Sequence, residues 1–296
     1  MNNTQPLESV SVIFIHEQQI FAVQRQPYLH AFPGYHAFPG GKIDNDESST
    51  PFETEFLCEH NTLRMRALRR EIIEELGYDL EEGINKGEVL SVNELAEALA
   101  PPFAPVRFRT WFYRVDLSKR VKFDVDSGEF ADSFWKTSAE LLETFRTGKS
   151  LMVPPTRWVL EGLQKKPQAT AFGDLSQNFA EDDRVPCLEM IEGVPQLAVR
   201  SATLPPASRT NSFMLGDLDA PKLLVDPSPN STEEYQRLLN TIQDKKLDAI
   251  FLTHHHPDHH QFSNQLARQL KLPIILSQDT QQRLTLKNGE DYFEQV

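Results

Sequence analysis

Three carboxylates stand close together in RREIIEELGY, residues 69–78: Glu71, Glu74 and Glu75. On a 3.6-residue helix the spacing i, i+3, i+4 gathers them on one face. Three anions on one face repel unless something compensates them. A hard divalent cation does so, because Mg²⁺ prefers oxygen donors and keeps waters that a phosphate can replace. Arg70, four residues before Glu74, can hold a carboxylate in place. A solvated helix face would carry the same acids, so the triad needs context. A second group of candidate residues lies in LTHHHPDHHQF (252–262), where His254, His256, Asp258 and His259 form H-x-H-x-D-H. Nitrogen donors with an open position suit zinc and a zinc-activated water. The bland alternative is an exposed His-rich loop that collects metal adventitiously.

The elements that must position these residues can be read from periodicity. SVSVIFI (9–15) and IFAVQR (20–25) are strands separated by the polar HEQQ. A loop rich in Pro, Gly and aromatics follows. Met65, Leu68, Ile72 and Leu76 mark the apolar side of a helix from about Leu63 to Leu76, which Gly77 stops. VRFRTWFYRVDL (106–117) reads as a strand, and 138–148 and 156–164 read as helices. Residues 166–183 are polar and aperiodic, so the boundary between two domains is placed there. Beyond it, PQLAVRSATL is strand-like. KLLVDPS (222–228) and LDAIFLT (247–253) are buried strands, STEEYQRLLNTIQ is a capped helix, and a helix near 259–270 leads to LPIILS. Strands alternating with helices imply a largely parallel layer.

FPGGK (38–42), Gly41-x5-Glu47 and Arg70-Glu71-Ile72-x-Glu74-Glu75-x-Gly77 together resemble the Nudix box of the Nudix hydrolases. The resemblance covers about residues 8–165 and implies an α/β/α sandwich. It also implies cleavage of a nucleoside diphosphate derivative by water attack on phosphorus, with Mg²⁺ or Mn²⁺ as cofactor. It makes Glu74 and Glu75 the principal ligands, Glu71 a ligand or the base that orients water, and Arg70 a clamp. It also implies that a backbone carbonyl near Gly40–Gly41 completes the coordination. One departure matters. Ser48 to Arg69 is 22 residues where the family has about seven, an excess of 15. Spacing alone therefore no longer fixes Glu47 relative to the helix.

Arg25, Leu29, Gly34 and Phe38 stand before PGG at the spacing of the coenzyme A diphosphatase subgroup, and Asp44 matches its acidic position. The match is partial, since His30 stands where arginine is usual and Phe32 where histidine is usual. On this resemblance Arg25, Gly40 and Gly41 contact substrate, which is coenzyme A, an acyl derivative or another nucleoside diphosphate compound. Glu129, six residues before Trp135, is either an auxiliary acid or an ordinary surface glutamate.

The H-x-H-x-D-H run after LDAIFLT, together with Asp226 in KLLVDPS, resembles the metallo-β-lactamase superfamily. The resemblance implies that His254 and His256 bind one Zn²⁺ and that Asp258 and His259 bind a second. No histidine follows His260, so the ligand set is incomplete. Residues 184–296 supply about the N-terminal half of that family's αββα sandwich, which implies an uncovered sheet face or edge and a route to self-association.

The fold class expected is thus α/β and α+β in two domains, 8–165 and 184–296, joined by a linker at 166–183. The net charge of −13 repels phosphate backbones, so nucleic acid is not an expected partner. No apolar run approaches the roughly 18 residues of a membrane span. The start carries no secretory pattern, and Cys58 and Cys187 fall in different domains, so a reducing cytoplasm is the expected setting. Three functions fit these residues: a Nudix-type diphosphatase, a zinc-dependent ester or thioester hydrolase whose site is incomplete in this chain, and a non-catalytic binding module whose acidic helix the insertion has displaced.

Overall fold

The computed structural model describes residues 5–104, 106–176, 183–216 and 220–293; residues 177–182, part of the expected linker, lie outside these. The chain divides into two compact units, 1–177 and 178–296.

The first unit is built on a seven-stranded sheet of β1 (Leu7–His16), β2 (Gln19–Arg25), β3 (His36–Ala37), β4 (Val89–Leu99), β5 (Phe108–Leu117), β6 (Phe130–Thr137) and β7 (Gly173–Asp174). The order is β3-β2-β1-β5-β4-β7, with β6 also pairing to β2. β1 and β2 form the expected hairpin, while β1 and β5 run parallel. Alternation sends the side chains of β1 to two cores. Val10, Val12 and Phe14 pack under α1 (Thr62–Leu76) and α2 (Leu80–Asn85). Ile13 and Ile15 pack under α3 (Ser138–Arg146) and α4 (Pro154–Lys165). Helices on both faces make an α/β/α sandwich. Fully burying each such side chain contributes about 1.5–3 kcal/mol, which fixes α1 against the sheet.

β4 is where local sequence misleads. VLSVNELAEAL carries good helix formers, yet it is an 11-residue strand. Its place in the sheet does not show in its own pattern because two register shifts, between Val89 and Ser91 and between Glu94 and Ala96, break the alternation. β7 lies within 166–183 and pairs with β4, and Phe172 packs on the second core, so this part of the expected linker is joined to the first unit.

The second unit has a six-stranded sheet of β8 (Cys187–Glu189), β9 (Pro195–Arg200), β10 (Arg209–Leu215), β11 (Leu223–Val225), β12 (Ala249–Phe251) and β13 (Ile274–Ile275), in the order β13-β12-β11-β10-β9-β8. β11, β12 and β13 are parallel; β8 to β11 are antiparallel, so the layer is mixed rather than largely parallel. The helices are α5 (Thr232–Ile242), α6 (Pro257–His260), α7 (Ser263–Leu270) and α8 (Gln278–Asn288). The helix expected near 259–270 is two helices, because Phe262 takes a left-handed φ of 63° between them. Leu238, Leu266 and Leu284 from α5, α7 and α8 share one core with Leu224 and Ile250 of the sheet. The alternate residues Phe213, Val225, Phe251 and Ile275 stand in register on the other side. Leu215 and Ile275 there are exposed. Among the described residues no helix is long and apolar enough to cross a membrane.

Candidate functional site

α1 starts at Asn61, whose side chain accepts from Arg64 N, and stops at Gly77, whose φ of 60° suits a residue without a Cβ. Its last carbonyls do not hang free: Asp126 N donates to Glu75 O at 2.8 Å and Asp124 N to Leu76 O at 3.0 Å. Ile72 and Leu76 point into the core, which turns the three glutamates toward the loop 38–47.

Arg70 organises that loop. Its Nε and Nη2 donate to Glu47 Oε1 at 2.9 and 2.7 Å, and Nη2 also donates to the Lys42 carbonyl at 2.9 Å. Its Nη1 donates to Glu71 Oε1 at 2.8 Å and to Glu74 Oε2 at 3.2 Å, and Asp44 lies 3.3 Å away. The excess residues therefore leave Glu47 beside the helix. Burial works against the Arg70 charge, but the hydrogen bonds to Glu47 and Glu71 outweigh it and the net shift is upward.

Glu75 is 5% exposed and its Oε2 accepts from Gly40 N at 2.8 Å. Burial pushes its carboxyl up to about 8; the Gly40 bond opposes this, and Glu71 and Glu129 reinforce it. Burial also raises Glu71, against the pull of Arg70. Both glycines stand in close contact. A Cβ on Gly41 would meet the Glu71 carboxylate at 2.3 Å, and one on Gly40 would meet the Val10 carbonyl at 2.2 Å. Val12 N and Val10 N take the Pro39 and Gly41 carbonyls, which leaves that of Gly40. Arg25 donates to the Ala31 carbonyl at 3.1 Å, lies 3.8 Å from Glu129, and its charge partly offsets the rise at Glu75. Glu129 thus faces the carboxylate group electrostatically, a role that spacing left open.

The three helix carboxylates do not converge on a common point: among the described residues, no three of their oxygens lie within 4.8 Å of one another. Arg70 draws in Glu71 and Glu74 while Gly40 holds Glu75. The donor set still fits a hard cation, because desolvation raises both Glu71 and Glu75 and Glu74 is largely exposed beside them.

In the second unit Asp226, Thr253 and the loop after β12 form one network. Asp226 is 3% exposed with a φ of 48°. It accepts from Thr253 N at 2.8 Å, from Thr253 Oγ1 at 2.6 Å and from His259 Nδ1 at 2.8 Å. This leaves His259 Nε2 outward, 3.7 Å from Asp258 Oδ2. His254 Nε2 and His256 Nδ1 are 3.2 Å apart. Two donors on one tetrahedral zinc at its usual bond length sit about 3.3 Å apart, so both separations fit shared ligation. Asp226, His254 and His259 also approach within 4.8 Å. Asp226 accepts three hydrogen bonds, one of them from His259, and so can orient that ring. Burial, then His259 and His256, lowers the His254 pKa. His260 is buried with Nδ1 against Tyr292 OH at 2.9 Å, away from this group.

The first unit is thus an α/β/α sandwich with a carboxylate group on α1, and the second is a mixed sheet with a histidine loop after β12. A sequence model described as the metallo-beta-lactamase superfamily matches residues 205–290. Among solved structures, a NUDIX hydrolase from Alicyclobacillus acidocaldarius is 20% identical with a TM-score of 0.47, covering 56% of this chain and 94% of its own. A MutT protein from Methanosarcina mazei Go1 is 15% identical with a TM-score of 0.38, covering 56% and 98%. The NUDIX domain of Shewanella oneidensis NrtR, solved with ADP ribose, is 16% identical with a TM-score of 0.39, covering 56% and 90%. No curated protein matches the chain.

Proposed function

We propose that the chain is a divalent-metal-dependent hydrolase that cleaves the diphosphate of a nucleoside diphosphate derivative, with coenzyme A and its acyl derivatives as the first candidates. One observation carries this reading: Arg70 holds Glu47, Glu71 and Glu74 together beside the buried Glu75 despite the insertion. Glu71, Glu74, Glu75 and the Gly40 carbonyl would hold Mg²⁺ or Mn²⁺. Held there, the cation would neutralise the diphosphate and lower the pKa of water. Glu71, raised by burial, is suited to accept a proton from the attacking water, and Arg70 fixes its carboxylate. Arg25 lies on the substrate side, beside Glu129. Residues 8–165 would form the catalytic domain and residues 184–296 the second. The test is turnover of coenzyme A, ADP-ribose and related compounds with Mg²⁺, Mn²⁺ or Zn²⁺, with products read by mass spectrometry. Cleavage lost in Glu74→Gln supports the reading; a folded chain that cleaves nothing on the panel rejects it.

A second reading is favoured by the donor separations of the histidine loop. His254 and His256 would share one zinc, and Asp258 and His259 another. Zinc-restored hydrolysis of an ester or thioester, abolished by His256→Ala, would make this the activity.

A further inference from the structure

The insertion before α1 is part of the first core. Phe52 and Leu57 are buried beside the helix. Arg66 ties the rest down: its Nε and Nη2 donate to the Thr50 carbonyl at 3.0 and 2.8 Å, and its guanidinium carbon lies 3.8 Å from the Phe52 ring centre. Arg66, Arg69, Arg70 and Ile73 follow one another at helical spacing and share a flank of α1. With Glu47 and Glu74 they line an open pocket of about 290 Å³.

The charges on this flank do not balance equally. Arg70 is engaged by Glu47, Glu71 and Glu74. Arg69 donates to both oxygens of Asp79, at 2.8 and 2.5 Å, and lies 3.7 Å from Glu81. Arg66 meets backbone carbonyls and an aromatic face; among the described residues no carboxylate forms an ion pair with it. Its Nη1 donors point to no described acceptor. A guanidinium with no carboxylate partner in a pocket suits a phosphate dianion, which its Nη1 donors can meet. Glu74 lines both this pocket and the carboxylate group, so the two adjoin.

We propose that this pocket is a second anion subsite, taking a phosphomonoester that the substrate carries apart from its diphosphate, as coenzyme A does on its ribose. The inference rests on the diphosphatase reading for the ligand's orientation, and the test separates the two by reading binding instead of turnover. The full chain with Mg²⁺ is titrated calorimetrically with adenosine 3′,5′-bisphosphate and with adenosine 5′-monophosphate. The bisphosphate is expected to bind about tenfold tighter. Ile73 is exposed, so its variants keep the core. Ile73→Glu should erase the preference, Ile73→Lys should enlarge it, and Arg66→Gln should erase it as well. Equal affinities in the unmodified chain, no binding of either ligand, or a preference untouched by Ile73→Glu would overturn the subsite. A preference without turnover of any diphosphate would keep the subsite and remove the hydrolase; turnover without a preference would do the reverse.

Discussion

Two residues shape the carboxylate group: Arg70, which gathers it, and Glu75, which is buried in it. Arg70 spans Glu47, Glu71 and Glu74, and its side chain is about one-quarter exposed. Arg70→Gln leaves those acids facing one another; solvent screening limits the cost to about 1–3 kcal/mol, read as a lower midpoint in urea. Turnover should fall with it. Glu75 behaves oppositely. Its carboxyl is pushed up to about 8 by burial, so at pH 9 without metal the native state holds a desolvated charge. Glu75→Gln should then stabilise the metal-free chain by on the order of 2 kcal/mol, while abolishing stabilisation by Mn²⁺. Thermal melts with and without Mn²⁺ check both halves. Gly41→Ala is the third residue-scale prediction. The added methyl displaces the Glu71 carboxylate, the flexible end of a side chain, so activity falls while the melting temperature barely moves.

At the scale of elements, β3 carries a pH-sensitive contact. His36 is buried, and burial, then Lys136, lowers its pKa, against an opposing pull from Asp132. Above the ordinary histidine value of about 6.5 the ring is neutral in both folded and unfolded chains and contributes nothing to pH dependence. As pH falls through that value toward the lowered folded one, the unfolded chain takes the proton first and stability is lost. A denaturation series from pH 7 to pH 5 should show this loss, and His36→Phe should flatten it. The hairpin β1–β2, the helix α1 and the helices α3 and α4 were legible because their apolar spacing is regular. β4 was not, since its register shifts break the alternation and its Leu, Glu and Ala residues favour helix. The placing of Glu47 was hidden for a different reason: the insertion is fixed by Phe52 and Arg66 through contacts distant in sequence. Asp226 stood out in the sequence only by resemblance. Its grip on Thr253 and His259 depends on β11 and β12 being neighbours.

Over the whole molecule, two compact units carry two unlike donor sets: hard oxygens on α1 and imidazoles after β12. Their metal requirements should therefore separate. Glu74→Gln should remove Mn²⁺-dependent turnover and spare zinc uptake, whereas His256→Ala should lower zinc uptake; equilibrium dialysis with metal analysis reads this directly. The most direct measurement of the central claim is hydrolysis of coenzyme A and ADP-ribose with Mn²⁺ in ¹⁸O-water. The account predicts that one phosphate product gains a single ¹⁸O and that Glu74→Gln loses the reaction. Unlabelled phosphate products, or cleavage that Glu74→Gln leaves unchanged, would contradict it.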